Sequence, residues 1–134
     1  MARLSVVEGI GPSYEEKLRN IGIKSTDAFL KAATSKKGRT ELAEKSEISE
    51  KLILRWANHV DLMRIKGIGG EFSEILEAAG VDTVPELARR NAKNLFEKIK
   101  EVNEEKKLVR RIPTEVMLEQ WIEQARELPR VLEY

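Results

Sequence analysis

Cysteine is absent from the 134-residue sequence, and histidine occurs only once. These absences exclude disulfide bridges, thiolate nucleophiles and iron–sulfur clusters, and they leave zinc chemistry with few ligands. Aromatic residues make up 5 % of the chain, too few to line a groove with stacked rings. Neither sign of charge dominates, since 24 Lys and Arg residues face 23 Asp and Glu residues. This balance argues against a nucleic-acid-binding domain that is basic over its whole surface.

Long apolar runs are also missing. No signal-peptide core follows the N-terminus, and no stretch approaches the roughly 20 apolar residues of a membrane helix. The sequence has no phosphate-binding Gly-Lys-Ser loop, dinucleotide fingerprint or nucleophile elbow. It proposes neither a nucleophile nor a pocket for His59, which we expect to be partly exposed at a helix end. We therefore expect a cytoplasmic, non-enzymatic protein without a cofactor, a metal or a membrane partner.

The sequence contains an internal repeat. Residues 7–30 align with residues 65–88 at an offset of 58, without a gap. The pairs that match in register include Gly9 with Gly67, Gly11 with Gly69, Gly22 with Gly80, Leu18 with Leu76, Tyr14 with Phe72, Ile23 with Val81, and Ser25 with Thr83. A looser match at an offset of 65 relates residues 49–56 to residues 114–121 and places Trp56 on Trp121. The repeat predicts two similar units in which both tryptophans are core anchors.

Apolar residues recur at helical spacing throughout, and strand-like alternation is absent. Gly22 and Gly80 stand where helices would close through a left-handed residue. Helix N-caps are predicted at Ser25, Ser49, Thr83 and Thr114, and Thr83 has capping-box spacing to Glu86. The pattern predicts an all-α protein.

Two features concern the second half of the chain. A long charged helix is expected from about Ala92 to Arg110, and Pro113 marks the break before the last helix. From Leu128 onward the chain forms a tail for which the sequence indicates no partner. We place the first unit at residues 1–60 and the second at residues 61–134, with an extended C-terminal helix pair in the second.

Each copy contains a Gly-Ile-Gly segment between two predicted helices. The isoleucine is expected to point into the core, while the glycines tolerate positive φ and let another molecule approach the backbone. The next helix begins at once, so its unpaired amides and the positive end of its dipole face outward. Pro12 suits a first helical turn because it has no amide to leave unpaired. Such a turn is suited to binding phosphate.

These residues resemble the helix-hairpin-helix family, whose pattern is apolar-x-x-apolar-x-Gly-apolar-Gly with a leucine seven residues later. The matching positions are Leu4, Val7, Gly9–Gly11 and Leu18 in the first copy, and Leu62, Ile65, Gly67–Gly69 and Leu76 in the second. Residues 9–60 also resemble the N-terminal domain of archaeal RadA-type recombinases, with residues 46–51 as its second hairpin. Over its full length the chain resembles an uncharacterised family of tandem helix-hairpin-helix proteins, through residues 109–113 and 121–125. The resemblance implies two tandem helix-hairpin-helix units, SAM-like or RadA N-terminal-like, packed as one compact body.

Three positions depart from the family pattern. The alanine expected four residues after the second glycine is Glu15 in one copy and Ser73 in the other. Ser73 is small enough for the helix contact, whereas Glu15 is expected either to tilt outward or to loosen that contact. Glu47 replaces the glycine of the second hairpin in the first copy, so we do not expect residues 45–48 to bind phosphate.

The resemblance implies sequence-independent binding of duplex DNA through its phosphates. The implied contacts in the first copy are Gly9, Gly11, Ser13, Lys17 and Arg19, and those in the second are Lys66, Gly67, Gly69 and Gly70. From its charge, the run Lys36, Lys37 and Arg39 is either a further phosphate site or a solvated connector.

Charge is distributed in blocks along the chain. Residues 31–45 and 85–111 carry net charges of +3 and +4, whereas residues 61–84 and 112–134 each carry −3. Acidic residues follow Gly69 where cations would help phosphate binding. They favour the alternative function, a protein–protein interaction scaffold that retains the fold without binding DNA and docks an oppositely charged protein.

Overall fold

The computed structural model describes residues 2–134, which form eight α-helices and one short 3-10 helix at Leu4–Val6. No strand occurs among these residues, and the predicted all-α class is confirmed. The helices are α1 (Pro12–Asn20), α2 (Thr26–Ala32), α3 (Lys36–Ser46), α4 (Glu50–Leu62), α5 (Gly70–Ala78), α6 (Val84–Ala88), α7 (Ala92–Lys106) and α8 (Glu115–Glu127).

The chain divides into two compact units. Unit 1 contains the chain up to Asp61 together with Val131–Tyr134, and unit 2 is Leu62–Arg130. The final four residues therefore join unit 1, although the sequence indicated no partner for the tail and placed it in the second unit. Hydrogen bonds attach them: Glu133 N donates to Thr34 O at 2.8 Å, and the Tyr134 hydroxyl donates to Asn58 Oδ1 at 2.7 Å.

Each unit buries its own apolar side chains. In unit 1 the largest fully buried side chains include Leu4, Leu18, Phe29, Ile53 and Trp56. In unit 2 a continuous cluster draws on α5, α6, α7 and α8 and includes Ile75, Leu87, Leu95, Ile99 and Leu118. Fully burying one such aliphatic side chain contributes roughly 1.5–3 kcal/mol, so the amphipathic pattern of each helix fixes which face packs inward.

Most helices begin at a side-chain cap. The hydroxyls of Ser25, Ser49 and Thr114 accept hydrogen bonds from backbone amides three residues later, at 3.1–3.2 Å, as predicted. Ser35 and Asn91 cap α3 and α7 in the same way. These bonds satisfy amides that a helix leaves unpaired at its start.

The predicted capping box at α6 does not form. Thr83 occupies the N-cap position, but its side chain makes no cap hydrogen bond. Pro85 stands in the first turn of this five-residue helix and has no amide, which removes one of the two donors that a cap can use.

The charged helix α7 is shorter than predicted. It ends at Lys106 rather than near Arg110, and Lys107 adopts a left-handed conformation with φ +51°. Asn103 then pairs with the backbone of Val109, donating from Nδ2 to the carbonyl and accepting from the amide at Oδ1, both at 3.0 Å. This pairing turns the chain away from the helix axis.

Candidate functional site

The two Gly-Ile-Gly segments adopt the same backbone geometry. We call Gly9–Gly11 turn 1 and Gly67–Gly69 turn 2. The first glycine has φ +96° in turn 1 and φ +102° in turn 2, and the second is the extended N-cap of α1 or α5. The central isoleucines are buried, as predicted. The gapless repeat in the sequence thus corresponds to two equivalent turns.

An indole ring lies beside the first glycine of each turn. A Cβ atom built on Gly9 would lie 3.1 Å from Nε1 of Trp56, and one built on Gly67 would lie 2.8 Å from Nε1 of Trp121. Positive φ also disfavours a side chain at both glycines. Glycine is therefore required here for two independent reasons.

The same two indoles pack against the helix that follows each turn. The ring centroid of Tyr14 lies 5.1 Å from that of Trp56, and the centroid of Phe72 lies 5.3 Å from that of Trp121. Both tryptophans are almost completely buried, which confirms them as core anchors. The looser sequence match at an offset of 65 thus pairs two tryptophans that occupy equivalent positions, Trp56 beside turn 1 and Trp121 beside turn 2.

The helices after the turns begin with open backbone amides. Their first intrahelical bonds are Glu15 N to Gly11 O and Ser73 N to Gly69 O, both at 2.9 Å. The amides before them are those of Ser13 and Tyr14 in α1 and of residues 70–72 in α5, and a helix offers them no partner. Neither helix has a side-chain cap. Because a Cβ on Gly11 or Gly69 would meet nothing within 4 Å, another molecule can approach the backbone.

The predicted cations of turn 1 lie at the far end of α1. Lys17 and Arg19 are in its last turn, and a rise of 1.5 Å per residue puts their Cα atoms roughly 7–11 Å along the axis from Pro12. Arg19 is exposed and Lys17 is partly exposed. The charge of Lys17 or Arg19 comes near turn 1 only if its side chain extends back along the helix toward Pro12.

Glu15 does not tilt outward, so the first of its two expected arrangements is wrong. Its side chain is only 13 % exposed, and Oε1 lies 3.6 Å from Nη2 of Arg3. Oε2 is buried without a hydrogen-bond partner among the described residues. The first turn of α1 favours a carboxylate because of the helix dipole, which offsets part of the cost of its burial.

Arg39 was predicted as a possible phosphate contact, but it is buried and is not a surface cation. The residue is 4 % exposed, and its Nη1 donates to Ala33 O at 3.0 Å and to Thr34 O at 3.2 Å. Its Cζ lies 5.5 Å from the centroid of the Tyr134 ring. The guanidinium thus satisfies carbonyls at the end of α2, which a helix leaves unpaired.

Lys36 and Lys37 remain exposed in the first turn of α3. The Gly38 amide next to them is already bonded to Ser35 Oγ at 3.0 Å. The run is therefore a capped helix start rather than a loop.

The backbone just before turn 2 is held by a side chain from α8, a contact that the sequence did not predict. Gln124 Oε1 accepts from Lys66 N at 3.0 Å, and Gln124 Nε2 donates to Lys66 O at 3.3 Å. The available signal was the position of Gln124, three residues after Trp121 and thus on the same face of α8. The Lys66 side chain is exposed, and so is Glu71 in the first turn of α5.

His59 is fully buried, so the prediction of a partly exposed helix end is wrong. Helix α4 continues to Leu62, three residues beyond it. The spacing from Trp56 places both residues on one face of the helix.

Within residues 2–134, no group of three or more His, Asp or Glu side chains is arranged to hold a metal ion. In the same range, every helix is too short or too polar to cross a bilayer.

Comparison with models of protein families gives a match over most of the chain. A family model, DUF4332, described as a domain of unknown function, covers residues 8–128. Comparisons with curated proteins and with solved structures give no match.

Proposed function

We propose that this chain, which belongs to the DUF4332 family of unknown function, is a non-enzymatic helix-hairpin-helix module. It would bind the phosphate backbone of duplex DNA weakly and without sequence preference. The observation that carries the proposal is the pair of open turns. In each turn an exposed glycine is followed directly by uncapped helix amides.

The contrast with the other helices supports this reading. Five helices begin at a Ser, Thr or Asn side chain that occupies a first-turn amide. The helices after turns 1 and 2 keep their amides free and add the positive end of the helix dipole. A phosphate oxygen supplies both the acceptor and the negative charge that such a helix end favours.

Turn 1 is the stronger of the two proposed sites. In turn 2 the exposed carboxylate of Glu71 lies in the first helical turn and opposes a phosphate. In turn 1 the position equivalent to Glu71 is Ser13, which carries no charge, and the acidic residue of the first turn, Glu15, lies close to Arg3. Because Arg39 is buried, few cations remain near either turn, and we therefore expect the binding to be weak.

A protein–protein scaffold is the second candidate, and the exposed Glu71 at turn 2 is the observation that favours it. On that reading the acidic block 61–84 docks a basic protein surface. A stoichiometric protein partner, together with no affinity for DNA, would support the scaffold over the DNA proposal.

The test is a titration of a labelled duplex at several salt concentrations. Contact with about four phosphates predicts a log–log slope of roughly −3.6. The decisive variant is Gly11→Asp, because aspartate is a good N-cap and would occupy the amides of α1 without disturbing the fold. Asn20→Asp is the matched control, since it adds the same charge at the far end of the same helix.

We expect Gly11→Asp to abolish most of the binding and Asn20→Asp to weaken it only slightly. Combining Gly11→Asp with Lys17→Glu also reverses the charge of a predicted contact on the same helix and should reduce the salt slope. Absence of binding at about 50 mM salt, or equal affinities of the double variant and the wild type, would refute the proposal.

A further inference from the structure

A groove on unit 1 combines apolar walls with positive charge at its edge. It has a volume of about 410 Å³ and lies between the N-terminal parts of α3 and α4 and the ring of Tyr134. The walls expose few polar atoms, because Leu54, the tyrosine ring and the aliphatic stems of longer side chains form them. The residues that line this surface, which we call the Tyr134 groove, all belong to unit 1: Lys36, Arg39, Glu50, Lys51, Leu54 and Tyr134.

The edge of the Tyr134 groove favours a negatively charged occupant. Lys36 and Lys51 are exposed and come from different helices, α3 and α4. Glu50, the acid among the lining residues, accepts a hydrogen bond from the Thr40 hydroxyl at 2.8 Å. Walls with few polar atoms offer few partners to the polar edge of a nucleobase. They suit an aliphatic side chain, and the two lysines suit carboxylates beside it.

The first turns of α8 carry the complementary features. Among residues 2–134, the large apolar side chains that are exposed are Val6, Val116 and Tyr134. Tyr134 lines the groove, whereas Val116 lies in the first turn of α8 and is 60 % exposed. Glu115 precedes Val116, Glu119 follows it by about one turn, and both are exposed. We call Glu115, Val116 and Glu119 the α8 patch, an aliphatic side chain accompanied by two carboxylates.

We propose that the Tyr134 groove binds the α8 patch of a second copy of this chain. The groove and the patch are different surfaces, so the contact joins copies head to tail. A net charge of +1 leaves little long-range repulsion between copies. One groove buries far less than the roughly 800 Å² per partner of a stable complex, so we expect a dissociation constant of roughly 0.1–1 mM.

Sedimentation equilibrium of the full chain without nucleic acid tests the contact and does not depend on the proposed function. At about 50 mM salt, where charge pairs are weakly screened, the average mass should rise between about 0.05 and 1 mM protein. Val116→Ser removes the aliphatic side chain at an exposed position and should weaken association at least about fivefold. Val6→Ser is the matched control, since it changes another exposed valine outside both surfaces and should leave association unchanged.

A charge exchange tests the pairing of the two surfaces. One variant combines Lys36→Glu with Lys51→Glu, and the other combines Glu115→Lys with Glu119→Lys. Each variant alone brings like charges together and should stay monomeric at about 1 mM. An equimolar mixture restores opposite charges at every contact and should associate as the wild type does. Circular dichroism confirms that both variants are folded.

Three outcomes would overturn the proposal. The first is a wild-type chain that stays monomeric at about 1 mM. The second is a mixture of the folded charge variants that stays monomeric as well. The third is a monomeric wild type in which an unrelated acidic peptide with one leucine shifts the methyl signals of Leu54, because the groove would then serve a different protein.

Discussion

The four glycines of the two turns carry different constraints. Gly9 and Gly67 have positive φ and an indole nitrogen where a side chain would lie, whereas Gly11 and Gly69 have negative φ and open space. The first pair therefore determines whether the turn folds. The second pair keeps its backbone accessible.

Alanine substitutions should separate these roles. We expect Gly9→Ala and Gly67→Ala to lower the free energy of unfolding by about 1–3 kcal/mol, because alanine is strained at positive φ. The loss should be larger at Gly67, where the indole nitrogen is closer. Gly11→Ala and Gly69→Ala should change it by less than about 1 kcal/mol. Urea unfolding followed by circular dichroism measures all four, and equal losses at Gly9 and Gly11 would contradict the assignment.

Arg39 should contribute to stability rather than to binding. Arg39→Lys cannot reproduce two carbonyl contacts and the stacked guanidinium, so we expect a loss of about 2 kcal/mol in the free energy of unfolding. The control Lys36→Gln removes an exposed charge in the same helix and should change stability by less than about 0.5 kcal/mol. A stable Arg39→Lys variant with weakened duplex affinity would instead return Arg39 to the binding site.

Residues were predictable where their role depends on a few chain neighbours. The left-handed conformation of Gly22 and Gly80 follows from the local closure of a helix. Arg39 packs in part against the ring of Tyr134, which lies 95 positions away in the sequence, so a local charge pattern identifies Arg39 only as a cation. Trp56 and Trp121 were predicted as core anchors. That their indole nitrogens lie beside Gly9 and Gly67 is visible only in the folded structure.

At the scale of elements, helix starts were more predictable than helix ends. A cap requires one side chain and an amide three residues later, which a sequence displays directly. The end of α7 instead depends on Asn103 reaching Val109 beyond the helix, a contact with no sequence signature. The position of the two turns before a helix was predictable because glycine spacing and helix starts agree in both copies.

A pair of threonine variants tests the caps. Thr114→Ala removes the bond to the Met117 amide and should cost about 1 kcal/mol of unfolding free energy. Thr83→Ala removes no cap bond and should cost less, even though Thr83 also stands at an N-cap. Thermal unfolding of both variants measures the difference, and a greater loss for Thr83→Ala would show that the α6 cap forms in solution.

At the scale of the whole molecule, residues 131–134 belong to unit 1. Leu132 is 2 % exposed, and hydrogen bonds from Glu133 and Tyr134 reach Thr34 and Asn58. A short segment at the end of the sequence thus completes a unit formed at its beginning.

Deleting residues 131–134 should therefore loosen unit 1 selectively. We expect amide hydrogen exchange in α2 and α3 to accelerate at least about tenfold, which corresponds to roughly 1.4 kcal/mol of local stability. Exchange in the core of α7 should change much less. Tyr134→Phe, which removes only the hydroxyl bond to Asn58, should show a smaller acceleration in the same helices. Uniform acceleration in both units would contradict the assignment of the tail.

The packing of residues 131–134 in unit 1 also has a consequence for the order of folding. Asn58 and Tyr134 are 76 positions apart, so joining them in an otherwise unfolded chain closes a long loop at a large cost in chain entropy. Unit 2 occupies nearly all of that loop as a continuous segment and can fold from contacts within itself. Once it has folded, the loop left to close is much shorter. Folding of unit 2 therefore lowers the entropic cost of joining residues 131–134 to the rest of unit 1. Slowing the folding of unit 2 should delay the docking of Tyr134.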